Sequence, residues 1–125
     1  MTTFDGIAPD RLATALHLFD QGEPGAAESW ERAQLLFEAR EYAAAAELLA
    51  GVVEEHPRQA GPRLLLARAY YHSAQLRRAE EHLRVVVAQE PVDHYAHLLL
   101  GRTLERQSRH EEAAPWLRLA DALAG

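Results

Sequence analysis

The chain has 125 residues, no cysteine, a formal net charge of −6 at pH 7 and 48% apolar residues. That is enough for one domain that buries roughly two-thirds of its unfolded-chain surface. The missing cysteines exclude disulfides, thiolate nucleophiles and zinc–thiolate sites. Lysine and asparagine are absent as well, which removes a P-loop ammonium, a Schiff-base lysine and any N-glycosylation acceptor.

Residues 1–6 lack the basic and apolar regions of a signal peptide. No apolar run approaches the roughly 20 residues that a membrane helix needs. The expectation is a soluble, cytoplasmic protein, and the arginine- and alanine-rich composition suggests a GC-rich bacterial genome.

The first predicted element is a helix over residues 9–20. Asp10 suits its N-cap, and Leu12, Ala15, Leu16 and Phe19 form an apolar face. The run Gln21, Gly22, Glu23, Pro24, Gly25 breaks it. Residues 1–25 therefore read as a helix and linker. The helix is either the remnant second helix of a half-repeat packed on the next unit, or loosely tethered.

From residue 26 the chain repeats itself. Pro57 and Pro91 stand one period apart, and sliding the chain by that period aligns small residues with small and large with large. Ala33, Ala67 and Gly101 share a column, as do Ala45, Ala79 and Ala113. Leu49, Leu83 and Leu117 form a large column, followed by Val52, Val86 and Ala120, and by Leu36, Tyr70 and Leu104. The units are 26–59, 60–93 and 94–125.

Within each unit the apolar spacing is helical. Ala45, Leu49, Val52 and Val53 in the first unit match Ala79, Leu83, Val86 and Val87 in the second, at i, i+4, i+7, i+8. Leu66, Ala67, Tyr70 and Tyr71 mark a separate helix upstream. Arg40-Glu41-Tyr42 and Ala74-Gln75-Leu76 read as tight connectors. His56 and Glu90 precede prolines and end the second helices, because a residue before proline is pushed out of the α region. Asp93 reads as an N-cap.

The last helix carries Arg118, and Asp121 stands where earlier units have Val53 and Val87, which suits a terminal surface. Trp116, Leu119 and Leu123 remain apolar. Trp116 either folds back half-buried on its own unit or forms an adhesive end for a homodimer. Pro115 lies near the start of this helix and removes at most one ladder bond.

This pattern resembles the tetratricopeptide repeat family, in which each unit is a helix–turn–helix with small residues where the helices touch and a proline at the end. The resemblance covers about residues 26–123. It departs in the first unit, where Ser29 occupies the usual tryptophan column, Trp30 follows one place later, and Arg32 stands where Leu66 and Leu100 do. The implied fold is all-α: a right-handed superhelical solenoid of antiparallel helix pairs.

The family's first helices line a concave groove. By resemblance, Trp30, Gln34, Phe37 and Glu38 of the first unit line it here. Leu64, Arg68, Tyr71 and His72 follow from the second unit, and Tyr95, Leu98, Arg102 and Arg106 from the third. Arg68 and Arg102 share a column and are expected side by side. Aromatic rings with arginine forks imply a peptide or protein segment bearing acidic groups. The carboxylate clamp of chaperone-binding members is absent, its places holding Trp30, Gln34, Leu65, Tyr95 and Leu99, so a heat-shock chaperone tail is a poor candidate.

Other chemistry is weakly supported. His94 and His97 are spaced to share a helix face, but without an HExxH pattern they read as an exposed pair, and no metal or cofactor is expected. Glu54-Glu55, Glu80-Glu81 and Glu111-Glu112 read as solvated faces rather than an acid/base dyad. None of Ser29, Ser73 and Ser108 sits in a GxSxG elbow, and no Gly-rich phosphate loop occurs.

The net charge and the lack of a long basic run argue against nucleic acid. Residues 1–57 hold 11 acids and 3 arginines, whereas residues 58–125 hold 8 acids and 10 arginines. The expected function is a non-enzymatic interaction module, adaptor or co-chaperone-like. The alternative is a solenoid that self-associates through its terminal helices.

Overall fold

The computed structural model describes residues 25–125, and every regular element in that range is a helix. They are α1 (Ala26–Glu38), α2 (Tyr42–Glu55), α3 (Ala60–His72), α4 (Leu76–Gln89), α5 (His94–Arg106) and α6 (His110–Ala124). The helix expected over residues 9–20 and its linker up to residue 24 lie outside the described residues.

Three-residue connectors join α1 to α2, α3 to α4 and α5 to α6, short enough to enforce antiparallel pairs. Each second helix also packs on the first helix of the next pair, α2 on α3 and α4 on α5. The result is a linear stack. Its contacts are the repeated columns: Ala33, Ala67, Ala45, Ala79 and Ala113 are fully buried, and Gly101 is buried with them. Around them Leu49, Leu66, Leu83, Leu100 and Leu104 are sealed from solvent, each contributing about 1.5–3 kcal/mol.

The turn inside each pair is built the same way. Arg40, Ala74 and Ser108 occupy one repeat column and all take left-handed backbone, at φ 65°, 62° and 63°. In the second unit the Ala74 N–H donates to the Tyr71 carbonyl at 3.2 Å and the Gln75 N–H to the Tyr70 carbonyl at 2.8 Å. Both partners of a Schellman closure are thus present, in a position that glycine usually fills. Tyr42 and Leu76, expected in the connectors, are the first residues of α2 and α4.

A side chain in left-handed backbone is strained by about 1–2 kcal/mol, of which glycine's extra unfolded-state freedom cancels roughly half. Ala74→Gly should therefore raise stability by about 0.5–1 kcal/mol, read as a higher melting temperature. An unchanged or lower midpoint would contradict the strain.

Helices α2 and α4 end at Glu55 and Gln89, one residue before the His56-Pro57 and Glu90-Pro91 steps. Asp93 caps α5, its Oδ1 accepting from the Tyr95 and Ala96 N–H groups at 3.0 and 3.2 Å. Pro115 lies inside α6. Asp121 is exposed while Val53 and Val87 are buried, because among the described residues nothing stacks on the outer side of α6. Trp116 is half-buried between its own unit and the second, its ring 5.8 Å from that of His97 and 5.9 Å from the guanidinium carbon of Arg84 on α4.

Two expectations are corrected. His94 and His97 are not an exposed pair: His97 is 3% exposed, its Nδ1 donating to the Asp93 carbonyl at 2.8 Å. The helix turns its ring inward against Trp116. Glu80 does not belong to a solvated face either, being 9% exposed. Arg109 grips it with Nη1 at 2.6 Å and Nη2 at 3.2 Å, Arg84 adds Nη2 at 2.9 Å, and Gln107 donates at 3.1 Å. The pairing joins the second unit to the connector of the third.

Burial alone would raise the Glu80 carboxyl, but the hydrogen bonds from Arg109, Gln107 and Arg84 outweigh it and hold it below the ordinary carboxylate value. A depressed carboxyl stabilises the fold above its unfolded pKa, and that stability is lost as pH falls through the folded value. Glu80→Gln should lower the melting temperature at pH 7. The gap to the native chain should narrow below the ordinary value of 4.5 and close in stronger acid. A pH-independent gap would show that charge is not what Glu80 supplies.

Candidate functional site

The face formed by α1, α3 and α5 carries a connected set of rings and guanidinium groups. Arg68, one turn before the end of α3, places its guanidinium carbon 4.7 Å from the centroid of the Phe37 ring on α1 and 5.8 Å from that of Tyr95 on α5. It therefore bridges all three units. Its Nε is buried without a hydrogen-bond acceptor, and among the described residues no carboxylate forms an ion pair with it.

Aromatic contacts extend the set. Phe37 meets Tyr42 edge-on at 5.1 Å, and Tyr42 stacks on His72 at 4.7 Å. Tyr71 lies edge-on to His72 at 5.6 Å. Arg106 covers the Tyr71 ring at 4.6 Å while its Nη1 donates to the Tyr71 carbonyl at 2.9 Å, tying α5 to α3. Burial, then the positive charges of Arg68 and Arg106, push the His72 imidazole below its ordinary value. It is neutral at pH 7 and able to accept or donate a hydrogen bond.

A guanidinium held over aromatic rings keeps its charge. Its N–H edge then favours a planar, charged acceptor, and a carboxylate is the one proteins offer most often. The rings supply contact area with few rotatable bonds to freeze.

Of the residues expected in the groove, the structure gathers Phe37, Arg68, Tyr71, His72, Tyr95 and Arg106 into this set. Trp30 and Leu64 lie half-buried against the core, as Phe37 and Tyr71 also do, but among the described residues no ring or guanidinium contact joins them to the set. Gln34 is half-buried and Glu38 exposed, and among the described residues no hydrogen bond or ion pair joins either to the set. Leu98 and Arg102 line a recess of about 290 Å³ at the C-terminal end with Leu117, Ala120 and Asp121.

Arg102 does not repeat the setting of Arg68. It pairs with Glu105 at 2.9 Å, because among the described helices no following first helix offers it a ring as Tyr95 does for Arg68. Tyr42 was missed by sequence reasoning. Its signal was a large aromatic at the end of a connector, and in the structure it is half-buried against the core.

The described histidines are spread along the stack, and among the described residues no three His, Asp or Glu side chains converge as metal ligands would. No described helix is long and apolar enough to cross a membrane.

Known proteins share this architecture. The sequence pattern of the family described as tetratricopeptide repeat matches residues 36–103. No curated protein matches the sequence. Among solved structures, MamA AMB-1 aligns with a TM-score of 0.79 at 21% identity, over 85% of this chain and 58% of that one. MamA MSR-1 aligns at 0.78 and 18% identity, over 93% of this chain and 68% of that one. MamA 41-end from Desulfovibrio magneticus RS-1 aligns at 0.77 and 23% identity, over 92% and 67%. At such identities the likeness is one of fold.

Proposed function

Because the chain belongs to the tetratricopeptide repeat family, we propose that it is a non-enzymatic interaction module, adaptor or co-chaperone-like, that binds an acidic peptide or protein segment in the concave groove along α1, α3 and α5. The observation that carries this reading is Arg68, its guanidinium within cation–π distance of the Phe37 and Tyr95 rings and unpaired with any described carboxylate. A cation held in that way is ready for an anionic side chain or chain terminus. Phe37, Tyr42, Tyr71 and Tyr95 add apolar contact on either side, with His72 and Arg106 as further polar partners. The location we assign is the cytoplasm, with neither nucleic acid nor membrane as partner.

The test is a selection from displayed random peptides with the purified chain as bait. Recovered sequences should be enriched in aspartate or glutamate beside apolar residues. Enrichment in basic residues would overturn the acidic-ligand reading, and failure to retain any peptide would overturn the groove.

A second reading, self-association through the terminal helices, is favoured by the recess at the C-terminal end, where Leu98 and Leu117 remain accessible beside Arg102 and Asp121. Light scattering over a range of concentrations separates the two. A monomer at every concentration removes the second.

A further inference from the structure

The first unit has an open side that the other two do not. Leu35 is 65% exposed, whereas Ala69 and Thr103 in the same repeat column are fully buried. Arg32 is exposed, whereas its counterparts Leu66 and Leu100 are fully buried. In α3 and α5 these positions are closed because a second helix of the preceding unit packs there, α2 on α3 and α4 on α5. Among the described helices α1 packs extensively on α2 alone.

The chain carries a piece just upstream that matches two of the four columns of the second-helix stripe. Aligning Pro24 with Pro57 and Pro91 puts Leu16 in the column of Leu49 and Leu83, and Phe19 in the column of Val52 and Val86. Those are residues that second helices bury. Five residues, 21–25, separate that segment from α1, against four between α2 and α3 and four between α4 and α5. Five residues reach at most about 17 Å, so the segment cannot travel far from the open side of α1.

We propose that residues 9–20 of this same chain form the occupant of the Arg32–Leu35 side of α1, a half-repeat that closes the stack with Leu16 and Phe19 over Leu35. This goes beyond the groove reading and does not depend on it. A solenoid needs such a cap, because an end unit otherwise leaves its stacking face in water.

The absence of native cysteine allows a direct test on the full chain. Two single variants, Leu35→Cys and Val92→Cys, are labelled with a maleimide. Val92 is 75% exposed, so in the described residues alone the two sites would react alike. With the cap in place, Leu35→Cys should react at least about tenfold more slowly than Val92→Cys, at all protein concentrations. Adding Leu16→Asp and Phe19→Asp should restore its rate while helicity by circular dichroism is kept. Equal rates in the single variants would overturn the proposal. So would protection that disappears on dilution, which would make a second copy the occupant, and so would protection that survives the aspartates in a folded chain.

Discussion

Arg68→Glu should weaken binding of the selected acidic peptides at least about thirtyfold, as expected for a central arginine anchor worth roughly 2 kcal/mol or more. The loss combines removal of a charge-assisted fork with placement of a negative charge where the ligand carries its own. Arg102→Glu should change affinity by less than about threefold, because exposed pairs are worth little and Arg102 already pairs with Glu105 at 2.9 Å. Arg68→Lys should fall between them, since an ammonium keeps the charge but neither stacks nor forks. Calorimetric titration of all three gives the ranking, and circular dichroism should show unaltered helicity. Native affinity in Arg68→Glu, or a larger loss in Arg102→Glu, would move the anchor elsewhere.

Gly101→Val should have the largest effect on stability. A β-carbon at Gly101 would run into the Leu117 side chain, with Cδ2 nearest and Cγ at 2.7 Å, while the Leu117 backbone nitrogen stands at an ordinary 3.4 Å, so the Leu117 side chain fills the space that a β-carbon would need. Valine adds branched bulk against that side chain, and overpacking of this kind costs about 1–3 kcal/mol, occasionally more. The melting temperature should fall on the order of 10–15 °C. Gly101→Ala should be far milder, since helix propensity returns about 1 kcal/mol against the smaller clash. Ala33 and Ala67 carry that methyl in the same column. An unchanged midpoint in Gly101→Val would mean that the third pair is not packed this closely.

The stack was legible because its contacts are short-range and periodic. Ala45, Ala79 and Ala113 announce themselves as small in every unit, and each turns out fully buried. Pro57, Pro91 and Asp93 act on the residues beside them, so local stereochemistry located the helix ends. The misread residues depend on partners far along the chain. Glu80 looked solvated next to Glu81, since its partner Arg109 is 29 residues away and arrives only when the units stack. Arg102 shares a column with Arg68 but lacks a following described unit, so repeat symmetry overstated it. His97 was read from its spacing to His94, which says nothing about the direction of Trp116. Tyr42 joined the aromatic set only through His72, on a different unit.

The site rests on one spatial claim, that the ligand lies along α1, α3 and α5 across Arg68. Titrating the isotope-labelled chain with a selected acidic peptide and following its amide and side-chain resonances tests it most directly. The largest shifts should fall on Phe37, Tyr42, Arg68, Tyr71, His72, Tyr95 and Arg106. Shifts concentrated instead around Arg84, Glu112 and Trp116, or in the recess of Leu98, Arg102 and Leu117, would contradict it.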